Sequence, residues 1–167
     1  MIIDSALKGS FPFRLGTTSY IIPDDILPNV RYLSEFVDDI QLILFESDSG
    51  SNLPSAAVVQ ELAAIGAEKD LTYTVHFPLD VFLGSRDESV RAASVDMCRR
   101  IIELCRPLSP GTFALHFAGD DPADRGRVPS ADMSGWCGAL DQSLSALVAE
   151  VDTPRRICVE TLAYPFS

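Results

Sequence analysis

Short apolar runs alternate with longer amphipathic runs along the whole chain, and this alternation limits the fold more than any single motif. Five runs read as strands: residues 13–19, 40–45, 72–76, 112–116 and 156–160. Several are apolar at consecutive positions, as in Leu42-Ile43-Leu44-Phe45, the pattern of strands covered on both faces. Helical patterns fill the gaps. Residues 23–37 open on Pro23-Asp24-Asp25, and Pro28 either limits that helix or moves its start later. Residues 56–69 place Val59, Leu62 and Ile65 on one side. Ser85-Arg86-Asp87-Glu88 has the S-x-x-E capping-box form. The helix it opens carries Val90, Ala93, Met97, Ile101 and Leu104 and stops at Pro107. Trp136, Leu140, Leu144, Leu147 and Val151 mark the last helix.

The order β-α-β-α-β-α-β-α-β predicts a right-handed parallel α/β layout in one domain. Two architectures fit. An open doubly wound sheet could be complete at 167 residues, whereas a closed barrel of eight units typically needs about 250. No apolar run approaches the roughly 20 residues that cross a bilayer, and the start does not resemble a signal peptide, so a cytoplasmic protein with no membrane partner is expected.

The net charge is −11, and only Arg99–Arg100 and Arg155–Arg156 are adjacent basic pairs. Duplex DNA binders cluster Lys and Arg to neutralise phosphates, so no duplex nucleic-acid partner is expected. Cys98, Cys105, Cys137 and Cys158 form no C-x-x-C pair and read as reduced thiols. No G-x-S-x-G elbow, G-x-G-x-x-G turn or Walker loop is present.

The informative pattern is positional. The third, fourth and fifth predicted strands close on His76, His116 and Glu160, and the second is followed by Glu46. Parallel α/β proteins gather strand C-terminal ends at one face, where ligands bind. Two imidazoles and a carboxylate there suit a divalent metal such as Zn, Mn or Fe. A strand-end histidine is equally an ordinary hydrogen-bonded packing residue, but the chain has only two, both in this position. Thr18, Ser19 and Tyr20, after the first strand, are candidate substrate-binding groups with Glu46; the hydroxyls also suit strand and capping roles. Asp80, Asp120 and Asp121 could orient the imidazoles or start helices, and Arg125 and Arg127 could meet a phosphate or solvent.

The set His76, His116 and Glu160 resembles that of the xylose-isomerase-like TIM-barrel superfamily, which includes AP endonucleases and sugar-phosphate isomerases and epimerases. The blocks Phe13-Arg14-Leu15-Gly16-Thr17-Thr18-Ser19-Tyr20-Ile21-Ile22-Pro23-Asp24, Leu42-Ile43-Leu44-Phe45-Glu46, Val75-His76-Phe77-Pro78-Leu79-Asp80 and Val159-Glu160-Thr161-Leu162-Ala163-Tyr164-Pro165-Phe166 are similar, more specifically, to the cobamide-remodelling phosphodiesterases of the CbiR type.

This resemblance implies a parallel (β/α) barrel truncated after about the fifth strand. It also implies a metal-dependent hydrolase that cuts the nucleotide-loop phosphodiester of a small corrinoid. His76, His116 and Glu160 would then be metal ligands, with Glu160 and His116 also catalytic. A sugar isomerase or epimerase, or an AP-endonuclease-like hydrolase, is the alternative within the superfamily; a non-catalytic ligand-binding domain is the alternative outside it. A sheet stopped at strand five leaves open edges for self-association. Purified alone, the 167-residue chain is therefore expected to release no nucleoside from a cobamide; full turnover by that chain would overturn the expectation.

Overall fold

The alternation resolves into parallel strands joined through helices. The computed structural model describes residues 7–47, 50–117 and 133–160. In chain order the elements are β1 (Gly16–Thr18), α1 (Ile26–Leu33), β2 (Asp39–Ile43), β3 (Glu46–Ser47), β4 (Gly50–Ser51), α2 (Ala56–Lys69), β5 (Thr72–His76), α3 (Glu88–Cys105), β6 (Phe113–Leu115), α4 (Met133–Val148) and β7 (Ile157–Val159). The main sheet has the order β1-β2-β5-β6-β7. β2 lies parallel to both β1 and β5, and its register with β5 runs from Asp39 opposite Thr72 to Ile43 opposite His76. Among the described helices none is long and apolar enough to cross a membrane.

The limits of β5 and α2 coincide with the sequence expectation; the other main-sheet strands are shorter. α1 begins at Ile26, with Asp25 in the N-cap position. Pro28 therefore falls in the first turn, where an N–H has no intrahelical acceptor to lose. α3 departs from the expected capping box. Asp87, not Ser85, receives the Ser89 and Val90 N–H groups at 2.8 and 3.3 Å. Bonds from the Ser89 hydroxyl and these amides hold the Asp87 carboxyl below its usual range. Ser85 instead accepts from the Asp87 N–H at 3.2 Å. The antiparallel β3–β4 hairpin was not expected, because Glu-Ser and Gly-Ser carry no apolar period.

The chain packs as two compact units. In the first, Met1–His76 with Leu104–Phe113, the core comprises Val30, Leu33, Ile40, Leu42, Val59, Leu62 and Val75, all at 1% exposure or less. The Tyr73 hydroxyl donates to the Leu62 carbonyl at 2.7 Å, and burial pushes this phenol well above its ordinary range. Asp38 accepts the Leu15 and Gly9 N–H groups at 3.1 and 2.9 Å, which lowers its pKa and fixes the entry to β1 against that of β2. Arg14 donates to the carbonyls of Asp38 and Asp70 and to the Asp70 carboxylate at 2.7 Å. Asp70 itself ends α2 with φ of 47°.

The expectation of strands covered on both faces does not hold in this unit. In β2 and β5, Ile40, Leu42, Tyr73 and Val75 are buried, while Asp39, Gln41, Ile43, Thr72 and Thr74 are only partly so. Side chains alternate across a strand, so the two faces are chemically distinct. Burial pushes the Asp39 carboxyl up, and the Thr72 and Thr74 hydroxyls, at 2.7 and 3.1 Å, pull it partly back. With its pKa raised on folding, Asp39 favours the fold at low pH, and that contribution fades as pH rises through the raised value.

In the second unit, Phe77–Glu103 with Ala114–Ser167, Phe77, Leu83, Cys98, Ile101, Leu115 and Leu147 are fully buried. The Ser143 hydroxyl donates to the Leu83 carbonyl at 2.8 Å. Gly84 lies against the indole of Trp136, where an added Cβ would stand 2.3 Å from Nε1. Gly138, within α4, would meet nothing within 4 Å. Gly84→Ala should therefore destabilise the protein by about 1–3 kcal/mol through overpacking. Gly138→Ala should stabilise it by up to about 1 kcal/mol through helix propensity. Urea unfolding followed by far-UV circular dichroism measures both.

Candidate metal centre

His76 is the last residue of β5, His116 follows β6 directly, and Glu160 follows β7 directly. Both imidazoles are 6% exposed. Backbone bonding sets where these side chains begin. The Leu44 N–H donates to the His76 carbonyl at 3.2 Å. The Glu160 N–H donates to the Leu115 carbonyl at 2.9 Å, tying the end of β7 to the end of β6. As a result Glu160 Oε2 lies 3.4 Å from His116 Nε2. The Glu160 side chain remains 56% exposed, unlike the two histidines.

His76, His116 and Glu160 each offer one ligand-type atom, and these atoms lie within 4.8 Å of one another. Two imidazole nitrogens and one carboxylate oxygen form a donor set that Zn, Mn or Fe accepts, and it lacks the thiolates of a structural zinc site. The residues present therefore fit a divalent ion.

The other candidates are placed differently. Thr18 ends β1, half-buried, opposite Gln41. Ser19 is fully buried, and its hydroxyl accepts the Ile43 N–H at 3.2 Å, so it ties β1 to β2. Tyr20 is 42% exposed and its hydroxyl accepts from the Asn52 side chain. Glu46 opens the β3–β4 hairpin, half-buried, and is not part of the three-residue group. Asp80 is exposed. Asp120, Asp121, Arg125, Arg127 and residues 161–167 lie outside the described residues. Two residues that organise the loops beside β1 and β2, Asn29 within α1 and Asn52 in a loop, carry no mark in the sequence, since a polar asparagine belongs to no apolar period.

The sequence matches no protein-family model and no curated protein sequence. Its structure is similar to those of ketose epimerases. A D-tagatose 3-epimerase-like protein aligns with a TM-score of 0.71 at 18% identity, over 91% of this chain and 54% of that one. The D-psicose 3-epimerase of Clostridium cellulolyticum H10, solved with D-tagatose, aligns with a TM-score of 0.65 at 15% identity, over 90% of this chain and 53% of that one. An L-ribulose 3-epimerase aligns with a TM-score of 0.56 at 18% identity, over 82% and 46%. The fold class is thus α/β with a largely parallel sheet, of the (β/α)-barrel type. The chain spans about half the length of the structures it matches.

The cysteines stand apart from this chemistry. Cys98 and Cys105 are fully buried in α3, and burial pushes both thiols up to about 12. A thiol in that state is a poor nucleophile and a poor ligand. Cys137 is exposed and Cys158 partly so. A thiol-reactive chromogen added to the native chain should label Cys137 and Cys158 quickly, and Cys98 and Cys105 only on unfolding; stopped-flow absorbance counts the two phases.

Proposed function

We propose that His76, His116 and Glu160 hold a divalent metal, and that the chain belongs to a metal-dependent enzyme that isomerises or epimerises a small sugar or sugar phosphate. The observation that carries this is the convergence of the three donor atoms within 4.8 Å at strand ends, in a fold whose solved neighbours are ketose 3-epimerases. A divalent ion bound there supplies Lewis acidity toward a substrate oxygen. The protein's own groups divide the remaining work. The buried imidazoles of His76 and His116 give nitrogen donors fixed on the ends of paired strands. Glu160, more than half exposed, is the group open to substrate, and its carboxylate is suited to take a proton from a carbon beside a carbonyl. His116 Nε2 lies 3.4 Å from that carboxylate, so a shared ion would hold the two side chains together.

A second chemistry is supported by the donor set itself. Two neutral nitrogens and one carboxylate leave a bound dication with net positive charge, which suits the oxygens of a phosphodiester. Together with the sequence blocks around Thr17, Glu46, His76 and Glu160, this supports hydrolysis of a corrinoid's nucleotide-loop phosphodiester as the alternative.

Calorimetric titration of the chain with Zn²⁺ and Mn²⁺ tests the metal site. One ion should bind per chain, more weakly as the pH falls, because protons compete with the ion for its ligand atoms. His76→Ala and His116→Ala should each weaken binding by more than the roughly 10–100-fold that loss of an outer-shell partner costs. Unchanged affinity in both folded variants would sink the proposal. In a longer protein containing this chain, solvent deuterium entering C3 of D-tagatose supports epimerisation, and release of a nucleoside from cobalamin supports the phosphodiesterase.

A further inference from the structure

Tyr20 and Phe45 are 42% and 44% exposed, and each stands two residues beyond a strand, after β1 and after β2. These strands are parallel to each other and β2 is parallel to β5, so both rings follow the strand ends at which β5 carries His76. Rings this exposed add little to a core. The Phe45 backbone and the residues flanking Tyr20 are nevertheless held by several hydrogen bonds.

Asn52 performs much of that holding. Its side-chain oxygen accepts the Phe45 N–H at 2.7 Å. Its side-chain amide donates to the Ile43 carbonyl at 2.7 Å and to the Tyr20 hydroxyl. Its own backbone N–H donates to the Phe45 carbonyl at 3.1 Å. One side chain thus joins the loop after β1 to the loop after β2, with the β3–β4 hairpin lying between residues 45 and 52. Tyr20 is also flanked by anchors. Ser19, fully buried, accepts the Ile43 N–H. Asn29, also fully buried, accepts the Ile21 and Ile22 N–H groups at 3.0 and 2.9 Å and donates to the Ile22, Asp24 and Asp25 carbonyls.

We infer that Tyr20 and Phe45 form a preorganised stacking subsite for the C–H face of a ketose, and that Asn52 is the positioning residue that holds it. Aromatic faces offer broad apolar area at low entropic cost, and fixing them beforehand lowers the cost of binding. This rests on the sugar reading proposed above and adds to it the groups that select the ligand.

The test uses the 167-residue chain and D-tagatose as the probe, with affinity read by saturation-transfer NMR and Mn²⁺ affinity measured alongside. Tyr20→Leu and Phe45→Leu should each weaken tagatose binding about 3–10-fold, in line with the worth of an aromatic contact, and leave Mn²⁺ binding unchanged. Tyr20→Phe keeps the ring but loses the Asn52 bond, and should give a smaller loss that Asn52→Ala reproduces. A purely structural Asn52 would lower the melting temperature of Asn52→Ala without moving tagatose affinity. The inference is overturned by unchanged tagatose affinity in folded variants, by no tagatose binding to the unaltered chain, or by binding of cobinamide in its place. The sugar titration is read with and without Mn²⁺, so failure of the metal site is seen separately from failure of this subsite.

Discussion

The parallel ladder between β2 and β5 is the constraint on which the rest of the structure depends. Five residue pairs lie in register, from Asp39 and Thr72 to Ile43 and His76. Because side chains alternate with a period of two, a slip of one residue would carry Ile40, Leu42, Tyr73 and Val75 from the buried face to the other. It would also move His76 to the wrong face. The register is held from below by Asp38 and Asp39. The Asp38 carbonyl accepts the Thr72 N–H at 3.0 Å and its carboxylate caps the turn before β1. The Asp39 carboxylate binds both threonines of β5. Polar chemistry at one end of the strands therefore fixes where a histidine falls at the other.

That arrangement also bears on the two architectures that strand–helix order leaves open. A doubly wound sheet is covered by helices on both faces and favours apolar residues throughout its strands. Here one face of β2 and β5 carries Asp39, Gln41, Thr72 and Thr74, at intermediate burial. A barrel puts helices on one face only and fills the other with its own interior side chains, so a half-covered second face is compatible with that fold, and the likeness to the epimerase structures selects it.

Much of this was legible in the sequence, and the parts that were not have identifiable causes. α2 is marked by Ser55, whose hydroxyl accepts the Val58 N–H, and by a regular apolar stripe, so both its ends could be read. β5 reads cleanly because Thr72-Tyr73-Thr74-Val75-His76 alternates without interruption. The same alternation is present in Asp39-Ile40-Gln41-Leu42, but the run Leu42-Ile43-Leu44-Phe45 masks it and suggests a strand buried on both faces. The three-residue donor group followed from position alone, because strand-end residues need only topology to bring them together. Asn29 and Asn52 did not, because their bonds reach across loops whose course no periodicity encodes. The capping of α3 was misplaced by two residues, since Ser85 and Asp87 are both competent caps and only the observed geometry selects between them.

Burial within the donor group follows the cost of charge. A neutral imidazole is far less expensive to remove from water than a carboxylate, and an unpaired buried anion is the most expensive of all. The two histidines are the buried members, and Glu160 keeps more than half of its side chain in solvent. That exposure leaves the Glu160 carboxylate open to solvent, and under the proposed function it would be both a ligand to the ion and the group facing the substrate. Epimerisation and phosphodiester hydrolysis both use such a pairing of a fixed cation with an accessible carboxylate. What separates them is the ligand held beside it, and in the sugar reading proposed above that choice would fall to the anchored loops after β1 and β2.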